Sequence, residues 1–227
     1  MGGLTQNLDS FGSGDGNFIG VALCQSAGIY NHIGVFVKNF ENDEHYLLHL
    51  AWHYDLRFHG LSIVKSDEYR WVKLFEVYGE DNARDFYFLC KEIFKMNEGK
   101  IKYGVKLDKA FITKDTNEIS FEKGEGVGLT CATFAYLVFK RWGVELLDLP
   151  TWQTRESDID WHKYIVHSLE KYGAESNHVE QIRSEQGCSR IRPEEVAASC
   201  VLSPKPVVFN SIESLGAEIT NEIPRLS

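Results

Sequence analysis

Four apolar runs of strand length crowd the first third of this chain, at residues 18–24, 32–38, 46–52 and 71–77, with a weaker fifth at 56–62. Turn-rich residues separate several of them, most clearly at 39–44, so successive runs can pair as an antiparallel meander. From residue 81 the period changes. Ala83, Phe86, Phe88, Leu89, Ile93 and Phe94 recur at roughly helical spacing until Asn97-Glu98-Gly99 ends the stripe. Residues 131–142 predict a second helix, with Thr130 as N-cap and Gly143 as C-cap. Strands first and helices after predict an α+β fold in one domain, an antiparallel sheet packed against helices.

The flanks of this pattern set the domain limits. Residues 1–17 are Gly- and Ser-rich, without the basic start or apolar stretch of a signal peptide, and read as a flexible leader. Residues 18–227 form the single domain, with an insertion expected at about 151–187. Residues 158–172 predict a third helix capped by Ser157, with Asp160 as a short-armed capping partner. The polar stretch 177–186 is either helical or a mobile insertion. Arg192-Pro193-Glu194-Glu195-Val196-Ala197 reads as a short helix with Pro in its first turn, and 206–209 as a closing strand.

The formal charge of −9 and the scattered basic residues argue against nucleic acid as a partner. No apolar run reaches the roughly 18 residues of a membrane helix. The five cysteines, Cys24, Cys90, Cys131, Cys188 and Cys200, are odd in number, widely spaced and without a CxxC pair. That pattern argues against a disulfide framework or a structural zinc site. With no secretion signal, a reducing cytoplasm is the expected location, where a thiol stays free.

Cys131 is the thiol that carries chemical meaning. It lies in Gly126-Val127-Gly128-Leu129-Thr130-Cys131-Ala132-Thr133-Phe134-Ala135, where a glycine-rich loop turns into an apolar helix. The positive end of a helix dipole favours thiolate and is expected to lower the thiol pKa. The first turn also leaves backbone N–H groups free for an acyl oxyanion. Cys24 and Cys90 fall in periodic apolar runs and read as core.

A cysteine nucleophile needs an imidazole in reach, and that imidazole needs a third group to orient it. His32 opens one strand run and His49 lies inside the next. If Asn39 pairs with Glu44 across the hairpin, His32 opposes Ala51 and Gly34 opposes His49, which puts both histidines on one face. A slip of one residue separates them. Gly34 would then leave room for an approaching helix. His53 rivals His49 as the third member, because His45, His49 and His53 alternate onto one face of an unbroken strand; His59 is a weaker rival. The same three histidines raise a metal alternative, but four-residue spacing chelates on a helix and not on a strand. There is no HExxH motif, so neither a metal nor another cofactor is expected. Lys123 and the pair Glu194-Glu195 read as solvated or helix-start charges.

His32-Ile33-Gly34-Val35-Phe36-Val37, then Leu47-Leu48-His49-Leu50, then Thr130-Cys131-Ala132-Thr133-Phe134 resembles the circularly permuted papain-like group. That group includes the permuted NlpC/P60 hydrolases, with a YiiX-like branch, and the lecithin-retinol-acyltransferase-like enzymes. Lys102-Tyr103-Gly104-Val105 and the Pro-initiated helix at Arg192 agree with the resemblance, which spans about 20–199. It implies Cys131 as nucleophile, His32 as general base, His49 as polar third member, and Tyr103 and Thr130 beside the substrate. The acyltransferase branch has Asn-Cys-Glu-His-Phe at the nucleophile, and this chain departs from it. The implied activity is a cysteine hydrolase acting on a peptide, isopeptide or other acyl-bearing substrate through a thioester, with peptidase or amidase action first. Lipid acyl hydrolysis or transfer is the alternative, and a non-catalytic binding module the alternative from another class.

Overall fold

The computed structural model describes residues 4–7, 19–26, 30–39, 41–42, 44–60, 68–74, 80–106, 110–122 and 128–225. Its centre is a six-stranded antiparallel sheet built from β1 (Gln6–Asn7), β2 (Ile19–Ser26), β3 (Tyr30–Lys38), β4 (His45–Trp52), β5 (Asp55–Gly60) and β6 (Tyr69–Lys73), in the order β1-β6-β2-β3-β4-β5. The five expected runs are therefore all strands. Their period-two alternation divides the sheet into two faces. Ile33, Val35, Val37, Leu48, Leu50 and Val72 join the main core, while Ala22, Cys24, Phe36, Leu47, Tyr69 and Trp71 form a smaller cluster on the other face.

α1 (Glu80–Asn97) follows the sheet, then the small hairpin of β7 (Ala110–Ile112) and β8 (Ile119–Phe121), then α2 (Cys131–Trp142). α2 has the expected bounds. Apolar residues lie all round its first nine positions, and all nine are buried, so it is the central helix of the core rather than a surface one. Thr130 caps it reciprocally with Thr133, and Gly143 ends it in the left-handed conformation at φ 97°.

The C-terminal part holds α3 (Asp158–Lys171), α4 (Ser176–Ser184), α5 (Pro193–Val201) and α6 (Phe209–Glu222). The stretch around 151–187 is thus two ordered helices. Ser157 does not cap α3: its backbone is already helical, and its hydroxyl accepts from Arg192 Nη2 instead. Asp160 pairs with Lys163. The closing strand expected at 206–209 is absent as well. Val207 makes one isolated bridge to Leu147, and Phe209 begins α6, whose Phe209, Ile212, Gly216 and Ile219 are buried at helical spacing. Glu194 and Glu195 stand in the first turn of α5, as helix-start acids; Glu195 is buried rather than solvated, accepting from Trp152 Nε1 at 3.1 Å and from the Arg192 N–H at 2.7 Å.

Within the expected leader, Leu4 to Asn7 are docked. Gln6 and Asn7 pair with β6, and Glu222 accepts from the Leu4 and Thr5 N–H groups at 2.9 and 2.7 Å. Backbone donors that meet a carboxylate and a strand edge do not stay loose. The remainder of the leader, Phe18, Leu61 and Ser62, 75–77, Lys123, and Gly126 and Val127 lie outside the described residues.

Gly128, just before the α2 cap, crosses Gly104 almost in backbone contact. A Cβ on Gly104 would lie 2.5 Å from the Gly128 carbonyl carbon, and one on Gly128 would lie 2.4 Å from the Lys102 oxygen. Gly128→Ala should therefore lower stability by about 1–3 kcal/mol, the range for forced overpacking. The check is a lower urea midpoint at unchanged m.

Candidate active site

The register of β3 against β4 decides where the histidines fall. Val35 pairs with Leu48, Phe36 with Leu47, Val37 with Tyr46 and Lys38 with His45, and the Asn39 N–H donates to the Glu44 oxygen at 2.7 Å. This is the productive register, and it extends as far as the Asn39–Glu44 bond. His32 and His49 share a face, and His32 Nε2 lies 2.6 Å from His49 Nδ1. Gly34 does not make room for a helix. A Cβ there would meet the Leu47 side chain and the His49 Cβ at 2.7 and 2.8 Å, so the missing side chain accommodates neighbours in the sheet.

The ladder between β3 and β4 stops at Val35–Leu48, whereas β3 stays paired with β2 to Tyr30 and β4 with β5 to Trp52. The two strands therefore part below Gly34 and His49. The start of α2 sits at this gap. The backbone N–H of Ile33, no longer needed by the ladder, faces the Cys131 sulfur together with the N–H groups of Ala132 and Cys131 itself. Cys131, His32, Thr130 and Tyr103 line one cavity of about 280 Å³. His49 stands behind His32, buried. With His32 Nε2 facing His49, Nδ1 is its other ring nitrogen.

His53 is not the partner. β4 ends at Trp52 with a register shift after Leu50, and Tyr54 takes a positive φ of 59°. The turn carries His53 away, to accept from the Tyr103 N–H at 3.1 Å and to face Glu175 Oε2 at 3.3 Å. His45 stacks on Phe36. His59 lies edge-on to His49 at 5.2 Å, and the Nε2 atoms of His49 and His59 are buried without a hydrogen-bond partner. Among the described residues no group of three or more His, Cys, Asp or Glu side chains is placed to hold a metal ion.

Electrostatics correct one expectation. Burial pushes the Cys131 thiol up, and this outweighs the N–H groups and Arg190, which pull it down. Burial also lowers His32 to about 4, helped by the charge of Arg57, and lowers His49 in the same way, helped by His32, His59 and Arg57. These directions favour a neutral thiol and neutral imidazoles over a resting ion pair.

Tyr103 is held by its backbone. His53 takes its N–H, His178 Nε2 donates to its oxygen at 2.8 Å, and it bridges Leu129. Its ring packs 4.5 Å from Trp52 in the cavity wall. The Thr130 hydroxyl is engaged with Thr133, so its visible role is the cap. Sequence reasoning missed most of the opposite wall, Trp161, Tyr164, Ile165, Tyr172 and Arg190. The apolar stripe of α3 carried a signal for the first three; Arg190 had none.

Scans against family models, curated proteins and solved structures return no match.

Both histidines resist protonation in the folded state, whereas unfolded histidine titrates near 6.5. Between about pH 6.5 and pH 4 the unfolded chain therefore binds more protons, and stability is lost as the pH falls through that window. Thermal melts should show this loss, and the His32→Gln/His49→Gln double variant should lose less over the same window than the parent.

Proposed function

We propose that the chain is a cysteine-dependent acyl hydrolase, of peptidase or amidase type, on a permuted NlpC/P60-like scaffold. The observation that carries this reading is the 2.6 Å contact between His32 Nε2 and His49 Nδ1, with His32 lining the same cavity as Cys131. A nucleophile, a base and a group to orient that base are the parts acyl transfer requires.

The chemistry starts from the neutral pair. His32 donates Nε2–H to His49 Nδ1, which leaves Nδ1 free to accept the thiol proton as the sulfur attacks the carbonyl carbon. The C–S bond forms and the carbonyl electron pair moves to oxygen, where backbone N–H groups at the start of α2 receive it. When the pair returns, the C–N bond breaks and His32 passes its proton to the leaving nitrogen. Water then attacks the thioester, gives one proton to His32 and releases the acid. The thiol regains that proton.

A lipid or thioester acyl group is the second reading, favoured by the aromatic cavity wall of Trp52, Tyr103, Trp161 and Tyr164. Higher activity on micelles than on monomeric esters would support it.

Labelling of Cys131 by an acylating or alkylating electrophile, followed by mass spectrometry of its peptide, is the test. At pH 7, His32→Ala should slow labelling about 100-fold, the scale of general-base assistance. His49→Leu should slow it less, and His49→Asn should recover part of that loss, because an amide oxygen still accepts the Nε2 proton. Equal labelling in the parent and the His32→Ala protein would reject the base assignment and favour a non-catalytic binding module.

A further inference from the structure

The acyl chemistry leaves the charged arginine of the cavity without a task. Arg190 lines the same space as Cys131 and is 8% exposed. Its guanidinium stacks over the Trp161 ring at 3.7 Å. Among the described residues its one hydrogen bond runs from Nη1 to Asp158 Oδ1 at 3.2 Å, and Nε is buried with no partner. A guanidinium has five N–H donors. Leaving most of them unmatched inside a protein is costly unless something completes the set.

The counter-ion does not complete it. Asp158 is shared, receiving Arg155 Nε at 3.0 Å and Arg192 Nε and Nη2 at 3.1 and 2.8 Å. Glu195 is engaged by Arg155, Trp152 and the Arg192 N–H. Glu194 accepts from Asn31 at 3.0 Å. Of the three arginines on Asp158, Arg190 is the one that lines the cavity, and its charge reaches the Cys131 sulfur. The same cavity carries the apolar surfaces of Trp52, Tyr103, Trp161 and Ile165 together with the polar Asn31 and Ser168.

Resting on the reading of Cys131 as the nucleophile, we propose that Arg190 is the anion-reading residue of a substrate subsite, and that the acyl donor carries a carboxylate next to an apolar or aromatic group. A single guanidinium carries one positive charge, which a monoanion balances and a phosphate dianion exceeds. The planar fork matches a carboxylate edge, and the aromatic wall takes the neighbouring side chain.

The probes are N-acetylphenylalanine, N-acetylphenylalanine amide and phenyl phosphate, titrated against the full chain by NMR or tryptophan fluorescence. Their binding does not depend on turnover. The acid should bind the parent protein about tenfold more tightly than the amide, the size of one screened charge pair. Arg190→Gln should level the two, and Arg190→Lys should keep part of the preference. The acid-to-amide comparison within the parent protein needs no variant, so a misfolded Arg190→Gln does not blunt the test. Equal binding of acid and amide would overturn the subsite, and so would a preference untouched in a folded Arg190→Gln protein. Tighter binding of phenyl phosphate would overturn the carboxylate assignment. The acid should also protect Cys131 from iodoacetamide, which locates it in this cavity; an acid preference without protection would overturn the subsite. A thiol whose labelling ignores His32 would instead reject the hydrolase reading while leaving the carboxylate preference measured.

Discussion

Two glycines crossing at van der Waals distance determine where the thiol can be. Gly104 and Gly128 bring the 102–104 and 128–130 backbones together closely enough for the Gly104 N–H to donate to the Leu129 oxygen at 3.1 Å and the Leu129 N–H to the Lys102 oxygen at 3.0 Å. The next residue, Thr130, is the cap of α2, and the one after it is Cys131. On the other side of the crossing, His53 and His178 clamp the peptide groups of Tyr103. The cap, the thiol and the aromatic wall thus share one anchor, and none of them can shift without the others.

The sheet contributes to the site by being incomplete. Continued pairing of β3 and β4 past Val35 and Leu48 would consume the Ile33 N–H and close the gap into which the thiol projects. The partial ladder instead supplies a donor and a recess. The same burial that shapes the recess sets the protonation states, raising the thiol and depressing the imidazoles. Helix position alone argued for an acidic thiol, but desolvation of a buried sulfur is the larger effect here.

Much of the frame was legible because period and punctuation agree. The strands alternate, α2 has a cap at each end, and the turn at 39–44 fixes a register that puts His32 beside His49. The choice between His49 and His53 was not legible, since it depends on the irregularity after Leu50 and the positive φ at Tyr54, neither of which alternation reveals. α6 went unread although Phe209, Ile212 and Ile219 keep helical spacing; the expected strand at 206–209 overlaps its first turn. Arg190 and Asp158 were invisible for a different reason. They are 32 residues apart, and only the packing of α3 against the approach to α5 turns them into a buried pair.

The cavity is made by two stretches of chain that have different obligations. His32, Ala51, Trp52, Tyr103 and Cys131 come from the sheet, the glycine crossing and α2, and their positions are tied to the core. Trp161, Tyr164, Ile165, Tyr172 and Arg190 come from 158–190, a segment that packs into the same core through Trp161, Ile165, Leu169, Val179 and Ile182 and is pinned at Asp158 by three arginines. On the proposed reading, the groups that would react and those that would select come from different stretches of sequence. On that reading, substitutions at Trp161, Tyr164, Tyr172 or Arg190 would change what the cavity accepts without replacing Cys131, His32 or His49, so chains that share this frame could diverge widely in their ligands.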